Sequence, residues 1–347
     1  MKLQWQVNLK PIGIINSDRL RNIPKGRIAQ HEFCFHLHDL MASLLVQMEI
    51  KKAGHIQFQI ESDEDRDLLA SGIHILDFLE KSGRGDLERR AVINHVCNSL
   101  FADMLHFIYE ALRAFEKRKF TVAFSLLRKP FKEGLLILAQ MCADEVAFFN
   151  KMKRDAKNLL NRKELDESRI RNLLAQAIQA SRGSTFTNAD SVYDTVFNYQ
   201  FEHGLSGLFD KATHLATEYK RNQTEAYNLN FIFKDPSDDD IYLGNTYPQI
   251  AKILLLIHMM QIALYERMGE GNKNYKNWLL FTSIGTYQAL FVEGPSGMTR
   301  FVNSHFAEFM QCPACETSLR INKAKAPRLF VGERLVCDGC FTDHHFP

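Results

Sequence analysis

Four cysteines towards the end of the chain have the residue type and the spacing that bind a metal ion. Cys312 and Cys315 form one C-x2-C pair, and Cys337 and Cys340 form a second. A C-x2-C step lets two thiolates face one ion from a single tight turn, and four thiolates in a tetrahedron make a closed, structural zinc site. The spacing therefore predicts one zinc ion per chain, held by these four cysteines.

The residues between the two cysteine pairs alternate in polarity, which is typical of a short β-hairpin. The predicted strands are 318–322 and 328–336. Pro313 stiffens the first cysteine turn, and Gly339 is the candidate for a positive φ in the second. Two cysteine turns on a hairpin resemble the zinc-ribbon family, and the resemblance predicts a separate ribbon over 310–347.

The predicted ribbon carries more basic than acidic side chains. Between Gln311 and Val336 the only acids are Glu316 and Glu333. The basic residues of the same stretch are Arg320, Lys323, Lys325, Arg328 and Arg334. A local excess of positive charge suits contact with phosphates, so these five are the candidate residues for binding RNA or DNA.

The rest of the chain is predicted to be mainly α. Apolar residues recur at helical spacing through 63–309, which indicates a multi-helix bundle. Its centre is predicted to be an antiparallel pair of long helices at about 86–117 and 120–142, with a kink at Pro130. Residues 1–62 are predicted to form a mixed α/β segment, so that small β elements precede the bundle and a zinc-ribbon hairpin follows it.

The β elements of the N-terminal segment are predicted from alternation, in the run from Trp5 to Ile15 and at 55–60. A further short strand is predicted at 228–233. The stretch from Arg19 to Arg27 is rich in basic residues and is interpreted as a solvated loop, with a nucleic-acid contact as the alternative. The three aspartates at 238–240 are likewise interpreted as a solvated loop rather than a metal site.

The phrase at residues 123–133 carries an Arg-x4-Glu step, Arg128 to Glu133, inside an apolar helix. It resembles the HEPN-like helical families of bacteria over about 86–268. That resemblance implies a small all-α bundle of the kind found in toxin and antiviral defence systems. An ion pair that orients two helices is the alternative interpretation of Arg128 and Glu133.

Active members of the HEPN-like families carry an R-x4–6-H step, and this chain has three matches, Arg89 to His95, Arg90 to His95 and Arg300 to His305. Arg90 to His95 is preferred because it begins a long predicted helix. The resemblance implies a metal-independent endoribonuclease in which Arg and His from two subunits meet across a dimer interface. The histidine would move a proton and the arginine would stabilise the developing charge on the phosphate. If Arg90 and His95 are catalytic, we therefore expect the protein to be a homo-oligomer.

Composition limits the classes of protein that fit. The 347 residues are 46% hydrophobic and 24% charged, with a net charge of +2, which suits a globular chain without bulk attraction to polyanions or membranes. The apolar run 250–268 is interrupted by charged and polar residues and predicts a buried core helix. The other three cysteines, Cys34, Cys97 and Cys142, have apolar neighbours, and free thiols beside a zinc site indicate a cytoplasmic protein.

Two functions remain open from the sequence. The first is a HEPN-like zinc-ribbon protein directed at nucleic acid. Its most specific version is an RNase effector of a bacterial defence or toxin system. The second is a non-catalytic scaffold or sensor that binds a partner protein through the helical bundle and the ribbon.

Overall fold

The computed structural model describes residues 9–161, 163–218, 223–231, 238–269 and 271–346 of the chain. The described helices are α1 Ser17–Leu20, α2 Ile28–Ile50, α3 Asp63–Ala70, α4 Ile75–Lys81, α5 Gly85–Glu116, α6 Phe120–Arg128, α7 Leu135–Ala143, α8 Glu145–Asp155, α9 Glu167–Ala180, α10 Ala189–Val196, α11 Ser206–Thr213, α12 Asp238–Glu266, α13 Lys273–Phe291, α14 Gly297–His305 and α15 Ala326–Gly332. Two short strands, β1 Arg334–Val336 and β2 Asp343–His345, pair antiparallel. The predicted fold class, mainly α with a small hairpin at the C-terminal end, is confirmed.

The predicted antiparallel pair is present as α5 packed against α6 and α7. Phe124 of α6 lies against Phe115, near the end of α5, with ring centroids 5.3 Å apart. Ten residues later, Gly134 lies against Met104, which is earlier in α5, and a Cβ on the glycine would come within 2.7 Å of Met104 Sδ. Later residues of the second helix therefore contact earlier residues of α5, which is the antiparallel arrangement. The interruption predicted at Pro130 is a π-helical segment, Lys129–Gly134, because proline has no N–H to continue the helical ladder.

The centre of the bundle is α12, which packs on α2, α7 and α9. It is long and apolar enough to cross a membrane by length and composition, but 83% of its most apolar window is buried inside the fold. The buried core helix predicted at 250–268 is thus confirmed, although it begins earlier, at Asp238. The aspartates 238–240 form the first turn of α12, where acidic side chains favour the positive end of the helix dipole.

The N-terminal segment differs from the prediction. Residues 9–15 form no strand, and Trp5 and Val7 of the predicted strand lie outside the described residues. The backbone N–H groups that a sheet would use are bound by the buried carboxylate of Glu32, which accepts from Ile12 at 2.6 Å and from Gly13 at 2.9 Å. Residues 55–60 are extended without a partner strand in the described chain; there, Phe58 packs on Phe78 of α4.

Three other predicted elements are corrected. The helical spacing of apolar residues over 63–81 predicts one helix, but the chain there forms two, α3 and α4, separated at Gly72, whose φ of 76° favours glycine. The strand predicted at 228–233 is irregular at 228–229 and a turn at 230–231, and its last two residues lie outside the described chain. The basic stretch is only partly solvated, because Arg19 is bonded to a buried acid and Arg27 is half-buried.

The buried acid is Glu116, at the end of α5, and it connects several elements. It accepts hydrogen bonds from Arg19 at 2.6 Å, from Arg113 at 2.6 Å and from His31 at 3.4 Å. Tyr247 of α12 lies 2.7 Å from the other ring nitrogen of His31. Burial lowers the pKa of His31, so the neutral ring accepts from the Tyr247 hydroxyl and donates to Glu116.

Burial alone would raise the pKa of Glu116, but hydrogen bonds from His31 and Arg19 outweigh it and hold the pKa at about 2. The side chain is 1% exposed. A carboxylate this deeply buried is retained only because it is paired and hydrogen-bonded. The network therefore fixes α1, α2 and α12 to the end of α5.

Candidate metal centre and ribbon groove

The four cysteines predicted to bind zinc are brought together. Their sulfur atoms all lie within 4.8 Å of one another. Cys312 Sγ is 3.5 Å from Cys340 Sγ, and Cys315 Sγ is 3.6 Å from Cys337 Sγ. A disulfide would need about 2.05 Å, whereas four sulfurs around an ion at about 2.3 Å lie about 3.8 Å apart. The residues therefore fit a tetrahedral metal ion.

The two cysteine turns have the same backbone structure. We call them the first knuckle, 312–317, and the second knuckle, 337–342. In each, the N–H of the first cysteine donates to the carbonyl of the last residue, at 3.0 Å in the first knuckle and 2.9 Å in the second. The residue after the second cysteine has a positive φ in both, 57° at Glu316 and 60° at Phe341. Two copies of one turn thus face each other across the metal position.

Each knuckle ends in a threonine, which gives the repeated sequence C-x2-C-x-T. Thr317 Oγ1 is 3.2 Å from Cys315 Sγ, and Thr342 Oγ1 is 3.1 Å from Cys340 Sγ. The Thr342 hydroxyl lowers the pKa of Cys340 to about 6. Hydroxyl donors of this kind stabilise thiolates, the form that binds a metal. The repeated threonine is readable in the sequence, but the cysteine spacing alone did not single it out.

Gly339 is needed for close approach and not for a positive φ, which corrects the prediction. A Cβ at this position would lie 2.6 Å from Thr317 Oγ1 and 3.3 Å from Cys315 Sγ. Its N–H also points to Cys337 Sγ, at 3.3 Å. The absence of a side chain at Gly339 therefore allows the second knuckle to approach the first.

We expect Gly339→Ala to weaken metal binding at least tenfold. The added methyl group must displace Thr317, which separates the knuckles and spoils the tetrahedral geometry. Competition with a chromogenic chelator measures the affinity. Gly332→Ala is the matched control, because a Cβ there meets nothing within 4 Å. Equal affinity in the two variants would contradict this role of Gly339.

The segment between the knuckles differs from the predicted hairpin. Part of it forms α15, and β1 pairs with β2 across the second knuckle, with Leu335 opposite His344. A single bridge, Gln311 to Ser318, closes the first knuckle. A run such as Leu329–Phe330–Val331 suits a strand or a buried helix equally, and Pro327 in the first turn favours the helix.

The helix α15 attaches the ribbon to the bundle. Phe330 is buried and packs edge-to-face on Phe281 of α13, with centroids 4.9 Å apart. A Cβ on Gly285 would come within 2.9 Å of the Phe330 ring, so this glycine lets the ring reach the backbone of α13. The ribbon is therefore positioned by a packed contact with the bundle.

Three of the five predicted nucleic-acid-binding residues lie together. Lys325, Arg328 and Arg334 line a cavity of about 430 Å³ beside the second knuckle. Lys10, from the N-terminal segment, lines the same cavity. The ring of Phe341, which lines it too, is 79% exposed. We call this cavity, with its four cations and Phe341, the basic groove.

The other two predicted residues lie elsewhere. Lys323 donates to the carbonyl of Val292 at the end of α13. Arg320 is exposed beside Asn303 and Ala307, on a different side of the ribbon. Three of the five predicted residues therefore line the basic groove, and two lie outside it. The sequence pattern did not single out Lys10 or Phe341, which also line the groove.

Acidic side chains neutralise only part of the groove. Lys325 pairs with Asp338 at 2.5 Å, and Arg334 pairs with Asp343. Within the described residues, Lys10 and Arg328 form no ion pair, and Arg328 Nε is buried without a hydrogen-bond partner. The groove thus keeps a net positive charge.

The predicted catalytic residues are not joined within one chain. Arg90 is held by Glu145 at 2.8 Å, and Arg89 and Arg267 approach the same carboxylate. His95 is exposed on the same helix, and no hydrogen bond joins it to Arg90 among the contacts of the described chain. Residues five apart on a straight helix point about 140° away from each other.

The Arg-x4-Glu step behind the HEPN-like resemblance is a surface contact. Arg128 Nη1 lies 3.5 Å from Glu133 Oε1 across the π-helical segment, and both side chains are at least one-third exposed. Such a pair contributes little to stability.

Comparison of the chain with family models, with curated proteins and with solved structures gives no match. The HEPN-like resemblance accordingly rests on the sequence phrase alone.

Proposed function

We propose that this protein binds single-stranded nucleic acid through the basic groove of a zinc ribbon, with the helical bundle as its scaffold. The observation that carries the proposal is the exposed ring of Phe341 at the edge of a cavity lined by four cations. Single strands are held by aromatic rings on which bases stack and by cations that follow the backbone.

Phe341 has two features that support a binding role. Its ring is 79% exposed, although burial of a phenylalanine is favourable. Its φ of 60°, matched by 57° at Glu316 in the first knuckle, belongs to the knuckle turn, so the turn itself sets the backbone that carries the ring. The neighbouring Cys340 fixes the backbone to the metal centre. A base that stacks on this ring therefore meets a preorganised surface.

Zinc is the metal we propose for the four cysteines. Tetrahedral sites with four thiolates select zinc or iron–sulfur chemistry, and two facing knuckles on one structural unit are typical of zinc. Thiolate ligands and the buried free cysteines also fit the reducing environment of the cytoplasm, which is the location we propose.

We expect Phe341→Ala to weaken binding of a fluorescein-labelled single strand by about 5- to 100-fold, because each stacked base contributes about 1–3 kcal/mol. Fluorescence anisotropy with U12 RNA and T12 DNA at two salt concentrations measures this and separates RNA from DNA. Arg328→Gln should weaken binding to both and reduce the salt dependence. Arg320→Gln, a cation outside the groove, is the control and should bind as the parent protein does.

Two results would count against this proposal. One is the absence of binding to either strand at low salt. The other is equal loss of affinity in Arg320→Gln and Arg328→Gln, which would indicate bulk charge rather than the groove.

A second candidate function is a scaffold that binds a partner protein. It is favoured by three exposed aromatic rings in the stretch that precedes the first knuckle, Phe301, Phe306 and Phe309. The rings of Phe301 and Phe306 have centroids 6.2 Å apart, and Phe309 is 78% exposed. Exposed apolar clusters of this kind mark interaction sites. This function takes precedence if the groove variants leave nucleic-acid binding unchanged.

Cleavage of RNA by Arg90 and His95 remains a prediction that goes further than binding. If the pair is completed across a symmetric dimer, His95→Ala should abolish cleavage of the labelled RNA while binding and metal content stay unchanged. Gel analysis after incubation in EDTA-free buffer detects the products. His305→Ala, whose ring stacks on Phe301, is the matched control. Unimpaired cleavage by His95→Ala would refute the assignment.

A further inference from the structure

A second cavity, of about 580 Å³, lies where α2 begins, next to the first half of α12. It shares no lining residue with the basic groove. Its volume is in the range of small-molecule sites, which are mostly apolar with a few placed polar groups. Its lining includes Arg27, Phe201, Gly244, Asn245, Gln249 and Phe291.

Arg27 supplies an unneutralised charge to this cavity. Its guanidinium is half-buried, and burial lowers the pKa of Arg27. An arginine nevertheless stays protonated in proteins. Within the described chain its only polar contact is Gln30 Oε1, at 3.0 Å, and no carboxylate pairs with it. Four of its five N–H donors therefore remain for a ligand.

The first half of α12 is shaped to admit that guanidinium. A Cβ on Gly244 would lie 3.1 Å from Arg27 Nη2, so a side chain there would crowd it. One turn later, Pro248 has no N–H and leaves the carbonyl of Gly244 without its helical donor. The helix thus leaves room for the guanidinium at Gly244, and the cavity wall there includes a carbonyl without its helical donor.

The other walls combine flat apolar rings with amides. Phe201 is 38% exposed, and Phe291 closes the cavity from the end of α13. Asn245 and Gln249 add amide groups from α12. Asp240 also lines the cavity, but it pairs with Arg118 at 3.0 Å. The surroundings therefore favour one negative group at Arg27 and a flat ring against the wall that Phe201 and Phe291 line.

We infer that this cavity binds a small aromatic anion, with its phosphate or carboxylate on Arg27 and its ring against Phe201 and Phe291. A guanidinium binds either anion in bidentate fashion, and amides can read the polar edge of the ring. Two classes of ligand combine an aromatic ring with such an anion: mononucleotides and aromatic carboxylates. This site is independent of the nucleic-acid groove.

Isothermal titration calorimetry and thermal shift on the full chain test the inference. The probes are AMP and 4-hydroxybenzoate, with adenosine and inorganic phosphate as the half-ligands. We expect one of the two aromatic anions to bind and raise Tm, and each half-ligand to bind at least tenfold more weakly. AMP binding alone assigns a nucleotide, whereas 4-hydroxybenzoate binding alone assigns a carboxylate.

Arg27→Gln should lower the affinity for that anion at least tenfold, and Arg21→Gln, an exposed cation nearby, should not change it. If Arg27→Gln does not fold, Phe201→Ala replaces it, because this exposed ring is dispensable for the core. Phe341→Ala should bind the anion normally, which separates this site from the basic groove. The inference is overturned if neither anion binds, or if both cavity variants bind as tightly as the parent chain.

Discussion

Replacing Cys337 by serine is expected to release the metal ion and to unfold residues 310–346 locally. Cys337 is fully buried in the apolar cluster of the ribbon, which also holds Cys312 and Phe330. Because binding of a structural ion supplies much of the folding free energy of such small units, its loss removes their main support. The measured metal content should fall from one equivalent per chain to near zero, and amide hydrogen exchange should become fast in residues 310–346.

The helical bundle should survive this change, because its main apolar cluster is distinct from that of the ribbon, which includes only Ala289 and Val302 from the described buried residues of the bundle. The matched control is His344→Ala. His344 Nε2 lies 3.2 Å from Cys312 Sγ, so it is an imidazole that could replace a thiolate. Metal retained in Cys337→Ser and lost in His344→Ala would mean that the ligand set is wrong.

Glu116→Gln is expected to lower the free energy of unfolding by about 3 kcal/mol at pH 7. The estimate follows from a pKa of about 2 in the folded chain against an ordinary value of 4.5. A lowered folded pKa stabilises the protein fully above the unfolded value. That contribution is lost as pH falls towards 2, because the unfolded carboxylate takes up its proton first.

Urea unfolding of both proteins at pH 7, 5 and 3 measures the difference. It should be largest at pH 7, nearly as large at pH 5 and clearly smaller at pH 3. Glu110→Gln, an exposed acid on the same helix, should change stability little at any pH. A difference that does not depend on pH would show that lost packing, and not charge, explains the effect of Glu116→Gln.

The elements that were predicted correctly are those with a strong local signal. The apolar stripe of α5, the apolar length of α12 and the spacing of the four cysteines each lie within one short window. The irregular segment at Pro130 could likewise be predicted, because the effect of a proline on the helix backbone does not depend on distant residues.

The features that were missed depend on distant residues. Residues 9–15 form no strand because Glu32 binds their N–H groups, and no local pattern carries that information. The helix α15 is helical because its apolar run meets α13. Lys10 reaches the basic groove from the opposite end of the chain. Side chains that a fold brings together from such separations are not visible in the spacing of a motif.

The position of α12 along the chain has a consequence for synthesis. It is the helix on which α2 packs, yet residues 51–237 separate the two. At about 5–20 residues per second, a ribosome needs roughly 10–40 s to make that stretch. During this time α5 is already available to cover one part of α2, but the part of its apolar surface that faces α12 stays uncovered. We therefore expect slow expression at low temperature to favour recovery of the folded protein.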